Sequence, residues 1–310
     1  MFALPSNGFR HRASRLSQTM PTTTEPSDPW LVRRLTLLAG VDVANTSGLE
    51  FGPLTVPLVW RHEGNVEYVD HVSTEELRKK YAADPNVNVA NLLEIDHVLE
   101  NAKLPASLRQ RSFDYVVATH VFEHVPNPLG WLCECASIIK PHGVLGLTIP
   151  DKRFTFDRVR PMTVLAEWVE AQLADRQQPA PRSAFEVAML SVRMPLAETW
   201  SRPPTADELN TGELGRLPAA LALARKAARG YVDLHCSVFT PRSCLLLLAD
   251  AADLDLHPFR LARFRDTAVG GYEFSLQLRA AREDTPNVRA ASFREMAGST
   301  HQGSPHDAAA

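Results

Sequence analysis

Short apolar runs alternate with stretches of helical period along the first half of the chain. Residues 30–39 place Leu31, Leu35 and Leu38 on one face, the spacing of an amphipathic helix. Residues 48–51 form a short strand closing on Gly52, and residues 66–69 a second strand ending at Asp70. Ser73 then opens a helix: Ser73 and Glu76 have capping-box spacing, and Leu77 and Tyr81 lie four apart. A weaker third strand is expected over 88–95 and a strong fourth over 113–118. A helix over 129–139 stops before Pro141 and Gly143, and a fifth strand covers 144–149. This alternation predicts an α/β domain built on a mostly parallel sheet.

After the fifth strand the pattern changes. Residues 155–230 contain helical segments separated by Pro-rich stretches at 178–182 and 202–205, and no clear strand. They read as a helical insertion. A helix over 241–252 carries Pro241 at its start, and strands over 256–264 and 272–278 complete the sheet. The main domain is expected over 29–282. Residues 1–28 and 283–310 are polar enough to be read as a disordered leader and a disordered tail. The leader carries Arg10, His11, Arg12 and Arg15 and faintly resembles a transit peptide, but no apolar segment follows the arginines as a secretory signal requires.

The 310 residues, 45% of them hydrophobic, are enough to bury a sizeable core. A formal net charge of −3 gives no basic surface for nucleic acid. No apolar run approaches the roughly 18 residues that a membrane span needs. These features make a cytoplasmic protein the expectation. Cys133 and Cys135 do not form a CxxC pair and Cys236 and Cys244 add no second pair, so the cysteines read as buried reduced thiols and no metal is expected.

In open α/β sheets, ligands bind beyond the carboxyl ends of the strands, so polar residues at those ends are the candidates for chemistry. Gly52, after the first strand, is either a plain tight turn or a place where a ligand approaches the backbone; Pro53 removes one N–H donor there and disfavours a pyrophosphate. Asp70 is either a surface aspartate or an acceptor for both hydroxyls of a ribose. Asp96 reads equally as a solvated carboxylate or as a partner for an adenine amino group. His120, Glu123 and His124 cluster after the fourth strand. Asp151, Lys152 and Arg153 follow the fifth, in a charged loop interleaved with Phe154 and Phe156. His235 lies where the insertion returns to the sheet.

The Glu50–Pro53 turn, Tyr68-Val69-Asp70, the run from Phe113 to Pro128, the loop from Pro150 to Asp157, and the stretch from Asp233 to Pro241 together resemble a bacterial subgroup of the class I S-adenosylmethionine-dependent methyltransferases. The resemblance covers about residues 45–280. It implies a Rossmann-like seven-stranded sheet, mostly parallel with an antiparallel last strand, and a helical insertion after strand five. It also implies S-adenosylmethionine as cofactor, held by Glu50, Gly52, Asp70, Asp96, Thr119 and His120. Such proteins often occur near glycosyltransferases, which makes a small molecule, and a sugar, nucleotide-sugar or polysaccharide precursor in particular, the expected acceptor. The chain departs from the wider class in having one glycine in the turn and little room for a helix over 53–65.

Methyl transfer is an in-line displacement that mainly needs alignment, helped for an oxygen acceptor by a general base. His124, His235 and Asp151 are the expected bases, and Lys152 and Arg153 the expected holders of an anionic acceptor. Two other readings stand beside this one: a non-catalytic, regulatory S-adenosylmethionine-binding module, and a nucleotide-dependent oxidoreductase, which the missing glycines disfavour.

Overall fold

The computed structural model describes residues 28–209 and 216–300. The expected leader (1–28) and the last residues of the expected tail (301–310) lie almost wholly outside the described residues. The elements follow the predicted order. Helix α1 (Pro29–Leu37) precedes β1 (Ser47–Phe51) and β2 (Asn65–Asp70), and α2 (Thr74–Tyr81) follows with the Ser73/Glu76 capping box formed. Then come β3 (His97–Val98), α3 (Ala106–Arg109), β4 (Phe113–Thr119), α4 (Pro128–Ile138) and β5 (Ile139–Pro150). The insertion holds α5 (Leu165–Leu173), α6 (Pro181–Leu190), α7 (Leu196–Ser201), α8 (Ala206–Leu209) and α9 (Leu217–Ala227). Helix α10 (Pro241–Asp253), β6 (Phe259–Arg265), β7 (Glu273–Ala280) and α11 (Pro286–Ser299) complete the chain.

The seven strands form one sheet in the order β3-β2-β1-β4-β5-β7-β6. The pairs among β1 to β5 are parallel, and β7 runs antiparallel to both β5 and β6. The strand order reverses between β1 and β4, so a crevice opens where Gly52 and Thr119 leave the sheet. Both faces are covered, as a parallel sheet requires. Leu49, Phe51, Val116, Ala118, Leu145 and Leu147 pack with residues of α4, α10 and α11 on one face. Tyr68, Tyr115, Val117 and Val144 pack with Leu37, Leu58 and Val59 on the other. Gly48 belongs to this second face, where any Cβ would overlap the Tyr115 ring.

Three expectations are corrected. The third strand lies at His97–Val98 rather than 88–95, because residues 89–91 turn into a short 3-10 segment capped by the Asn88 side chain. Residues 283–300 are not a disordered tail: α11 buries Ala290, Phe293 and Ala297, and Arg289 reaches Asp255 and the Asp284 carbonyl. Its apolar stripe is narrow, since two of its four buried positions are alanine and one is Arg289, and a composition reading passes over it. The fifth strand also begins earlier than expected, running on directly from α4 through Pro141 and Gly143.

No helix forms between Gly52 and Gly64. Side chains satisfy the backbone of this connection instead. The buried Glu50 carboxylate accepts from the Leu58 and Val59 amides at 2.6 and 3.2 Å. Trp30 Nε1 donates to the Pro57 carbonyl, Arg34 to the Leu58 carbonyl, and the Tyr68 hydroxyl to the Val59 carbonyl. Each is a polar backbone group that would otherwise be costly to leave unpaired in the interior. Burial pushes the Glu50 carboxyl up to about 8 against the pull of those two amides.

Candidate functional site

Three chain segments converge beyond the carboxyl ends of the strands. The first is the crevice at β1. Gly52 adopts φ +60°, a left-handed conformation suited to glycine, and its amide donates to the Val69 carbonyl. A cavity of about 220 Å³ lies beside it, lined among others by Trp30, Arg33, Glu50, Gly52, Leu54 and Thr119. At the end of β2, Asp70 is 8% exposed; its Oδ1 accepts from the His71 amide and contacts the His71 ring, while Oδ2 makes no hydrogen bond among the described residues. A larger, open depression around Arg61 and Gly64 lies at the start of β2, at the other edge of the sheet from these groups.

The second segment leaves β4. His120 also has a positive φ, +54°, at the strand exit. Its Nε2 lies 2.7 Å from Glu273 and its Nδ1 3.5 Å from Glu123, and Glu273 also takes a two-pronged ion pair from Arg33. Burial opposes charge on His120, but the two carboxylates outweigh it and lift its pKa to about 9. Despite burial, His120 and Arg33 together hold Glu273 down to about 2.

The third segment joins the two ends of the insertion to the turn after β4. The Cys236 and Ser237 amides both donate to the Glu123 carbonyl, at 2.7 and 3.0 Å. This docking brings His235 against His124, with ring centroids 4.7 Å apart and the planes nearly perpendicular. Each histidine has its own carboxylate. His235 Nδ1 lies 2.5 Å from Asp157, whose other oxygen binds Arg160. His124 Nδ1 lies 2.9 Å from Asp233, close but out of line for a hydrogen bond, and Asp233 also takes Lys80 from α2 at 2.5 Å. Burial would raise both aspartates. His235 and Arg160 nevertheless hold Asp157 near 2, and His124 and Lys80 hold Asp233 well below the usual carboxylate range. Burial opposes charge on His124, but Asp233 and Glu123 raise its pKa.

Glu123, at 1% exposure, has a carboxylate oxygen within 4.8 Å of a ring nitrogen of both His124 and His235. Its Oε1 is 3.5 Å from His120 and 4.0 Å from His235 Nε2, and its Oε2 is buried with no hydrogen-bond partner among the described residues. Burial would raise its pKa, but the surrounding histidines keep it ionised.

Several sequence-based candidates are placed elsewhere. Asp151, expected as a base, is fully buried; Arg153 grips both of its oxygens and Thr267 donates to one, so it has no capacity left for a substrate proton. The same grip, with the guanidinium lying over the Phe154 ring, takes Arg153 out of acceptor binding. Asp96, expected at an adenine edge, accepts through one oxygen from the Tyr68 amide and from Arg61, two residues short of the end of β2. Glu50 supports the loop after β1, as described above. Gly52, Asp70, Thr119, His120, His124 and His235 do come to one edge of the sheet. Lys152 is half-buried near Asp157; burial lowers its pKa, and it makes no ion pair among the described residues. Asp157, Asp233 and Glu273 were missed as partners. Asp157 and Asp233 stood inside the segments singled out around Phe156 and His235, but nothing in their spacing says which histidine each would meet.

The model of a family described as "Methyltransferase domain" matches residues 31–211. A ubiquinone biosynthesis O-methyltransferase of Photobacterium profundum is 38% identical over 50 residues, 16% of this chain and 21% of that protein. Another, from Maricaulis maris, is 28% identical over 149 residues, 43% of this chain and 56% of that protein. The chain thus spans between a fifth and rather over half the length of these curated relatives. Among solved structures, a SAM-dependent methyltransferase from Aquifex aeolicus is 16% identical, covering 82% of this chain and 94% of that one, with a TM-score of 0.37.

Proposed function

We propose that this chain, which belongs to the methyltransferase-domain family and is an S-adenosylmethionine-dependent methyltransferase, transfers the methyl group to a hydroxyl of a small-molecule acceptor. The observation that carries the choice of oxygen is the facing pair of histidines at the exit of β4, each with a carboxylate at Nδ1. The Asp157 hydrogen bond at His235 Nδ1 fixes that ring's tautomer and orientation and leaves its Nε2 to take a proton.

The residues at the crevice fit the cofactor. Asp70 keeps an uncommitted oxygen at the end of β2, where a ribose diol would donate to it. The left-handed turn at Gly52 and the cavity beside Thr119 leave the backbone open to close approach. S-adenosylmethionine, when bound, supplies a methyl group already activated by a positive sulfur. The chain's own task is alignment and the management of one proton. His235 Nε2, or His124 beside it, takes the hydroxyl proton as the oxygen becomes nucleophilic. Asp157 and Asp233 steady the resulting imidazolium. Phe156, with its ring centroid 4.7 Å from that of His235, helps exclude water.

Lys152, which makes no ion pair among the described residues, is the cation available to an anionic acceptor, which keeps a nucleotide-sugar among the acceptor classes; the ubiquinone biosynthesis O-methyltransferases among the relatives add ubiquinone precursors. The test is release of S-adenosylhomocysteine over a panel of nucleotide-sugars, free sugars and catechol-type phenols, with wild type and His235→Gln compared. Turnover on a hydroxylated acceptor that the variant loses, with the product methylated on oxygen, supports the reading. Methylation only on nitrogen or carbon, or an unimpaired variant, contradicts it.

A further inference from the structure

We infer that Glu123, His124 and His235 form a binding site for one divalent first-row transition-metal ion. A carboxylate oxygen of Glu123 and a ring nitrogen from each histidine all lie within 4.8 Å of one another. Three features separate this cluster from a chance gathering of polar groups. Both histidines direct Nδ1 to a carboxylate, His235 to Asp157 at 2.5 Å and His124 to Asp233 at 2.9 Å. The His235 contact is the hydrogen bond by which an outer carboxylate normally orients a metal-bound imidazole, while Asp233 faces His124 as an ion-pair partner. Glu123 is 1% exposed, yet its Oε2 has no hydrogen-bond partner among the described residues, a costly arrangement unless something charged meets it. The ligands come from two separate segments: the turn after β4 carries two, and the returning insertion brings the third through the backbone clamp on Glu123.

Two imidazoles and one carboxylate form a donor set suited to zinc, iron, cobalt or nickel, and to magnesium far less, since magnesium prefers oxygen ligands. Such a set leaves coordination positions open. The cysteine spacing offered no hint of it, because no cysteine takes part.

What the ion would do rests on the O-methylation reading; that it binds does not. An acceptor hydroxyl at an open position would have its pKa lowered and would lose its proton to water. The oxygen lone pair would then form the O–CH3 bond as the C–S bond breaks, and the sulfur would keep that electron pair as a neutral thioether. In this arrangement the histidines hold the ion rather than take the proton.

The test uses the full chain, stripped with a chelator and titrated with Co2+ while visible absorption is followed. S-adenosylhomocysteine binding to the same stripped protein is measured by calorimetry. The site predicts one equivalent of Co2+ with ligand-field bands, displaced by Zn2+ and not by Mg2+. Glu123→Gln and His235→Gln should each abolish the bands, and Asp157→Asn should weaken Co2+ binding by roughly 10–100-fold. Cu2+ electron paramagnetic resonance on the wild type needs no variant and should show coupling to two imidazole nitrogens. Absence of ligand-field bands, or a copper signal without nitrogen coupling, in protein that binds S-adenosylhomocysteine overturns the metal site and leaves the methyltransferase reading intact. Co2+ binding without S-adenosylhomocysteine binding supports the site and counts against the cofactor crevice.

Discussion

His235 Nδ1 and the Asp157 carboxylate lie 2.5 Å apart across 78 residues of sequence, one at the start of the insertion and the other at its return. The pair closes the insertion as a loop over the exit of β4. It is buried together with Arg160, which binds the other oxygen of Asp157 at 2.7 Å. One contact therefore both ties the two ends of the insertion together and orients a ring in the site. His235→Gln should lower turnover by about 10²–10⁴-fold if the ring takes or controls the acceptor proton, with S-adenosylhomocysteine affinity within a few-fold of wild type. Steady-state turnover beside calorimetry checks this; equal losses in both would mean a structural role alone. Asp157→Asn adds a cost in stability of about 3–5 kcal/mol, because it leaves the Arg160 charge buried without its main partner, and urea denaturation reads it directly.

Glu50 gives the protein a pH dependence of definite sign. Its carboxyl is raised from 4.5 to about 8 by burial. Between those values the unfolded chain has released the proton while the folded chain keeps it, so stability falls as pH rises through this window and the full penalty is present above about 8. Glu50→Gln does not titrate. The variant should be less stable at low pH, where its amide group faces a backbone N–H it cannot accept, and the gap to wild type should narrow as pH rises. Thermal melts across the window test this, and a gap that widens with pH would contradict it.

Phe293 tests whether α11 belongs to the domain. Its ring is fully buried against His257 and the α10 side of the core. Phe293→Ala should cost about 3–5 kcal/mol, the usual range for truncating a buried aromatic. A change under about 0.5 kcal/mol, the range of surface substitutions, would mean that the C-terminal helix is not docked as described.

The parts of the fold that were legible in the sequence are those with strong local signals. The Ser73/Glu76 capping box, the apolar run of β4 and the proline at the start of α10 each state their own structure, and the alternation of such elements implies a mostly parallel sheet, while the antiparallel last strand came from the family resemblance. The third strand was misplaced because its two residues carry no apolar pattern; His97 and Val98 pair with β2 only because Asp96 and Arg61 anchor the preceding turn. The site was half legible. Residues directly after strands, such as Asp70, His120 and His124, were recognisable because strand ends are where ligands bind. Their partners were not, since Asp157, Asp233 and Glu273 reach the site from segments distant in sequence. Asp151 and Arg153 show the converse error: adjacent charges after a strand satisfied each other, and their local density was mistaken for availability.

The central claim is that the crevice at the ends of β1, β2 and β4 holds the cofactor through Asp70. Calorimetric titration of the purified protein with S-adenosylhomocysteine, beside an Asp70→Ala variant of unchanged thermal stability, tests it most directly. The account predicts saturable binding to the wild type and at least about a tenfold loss, ~1.4 kcal/mol, in the variant. Equal affinity in both proteins, or no binding to the wild type, would contradict it.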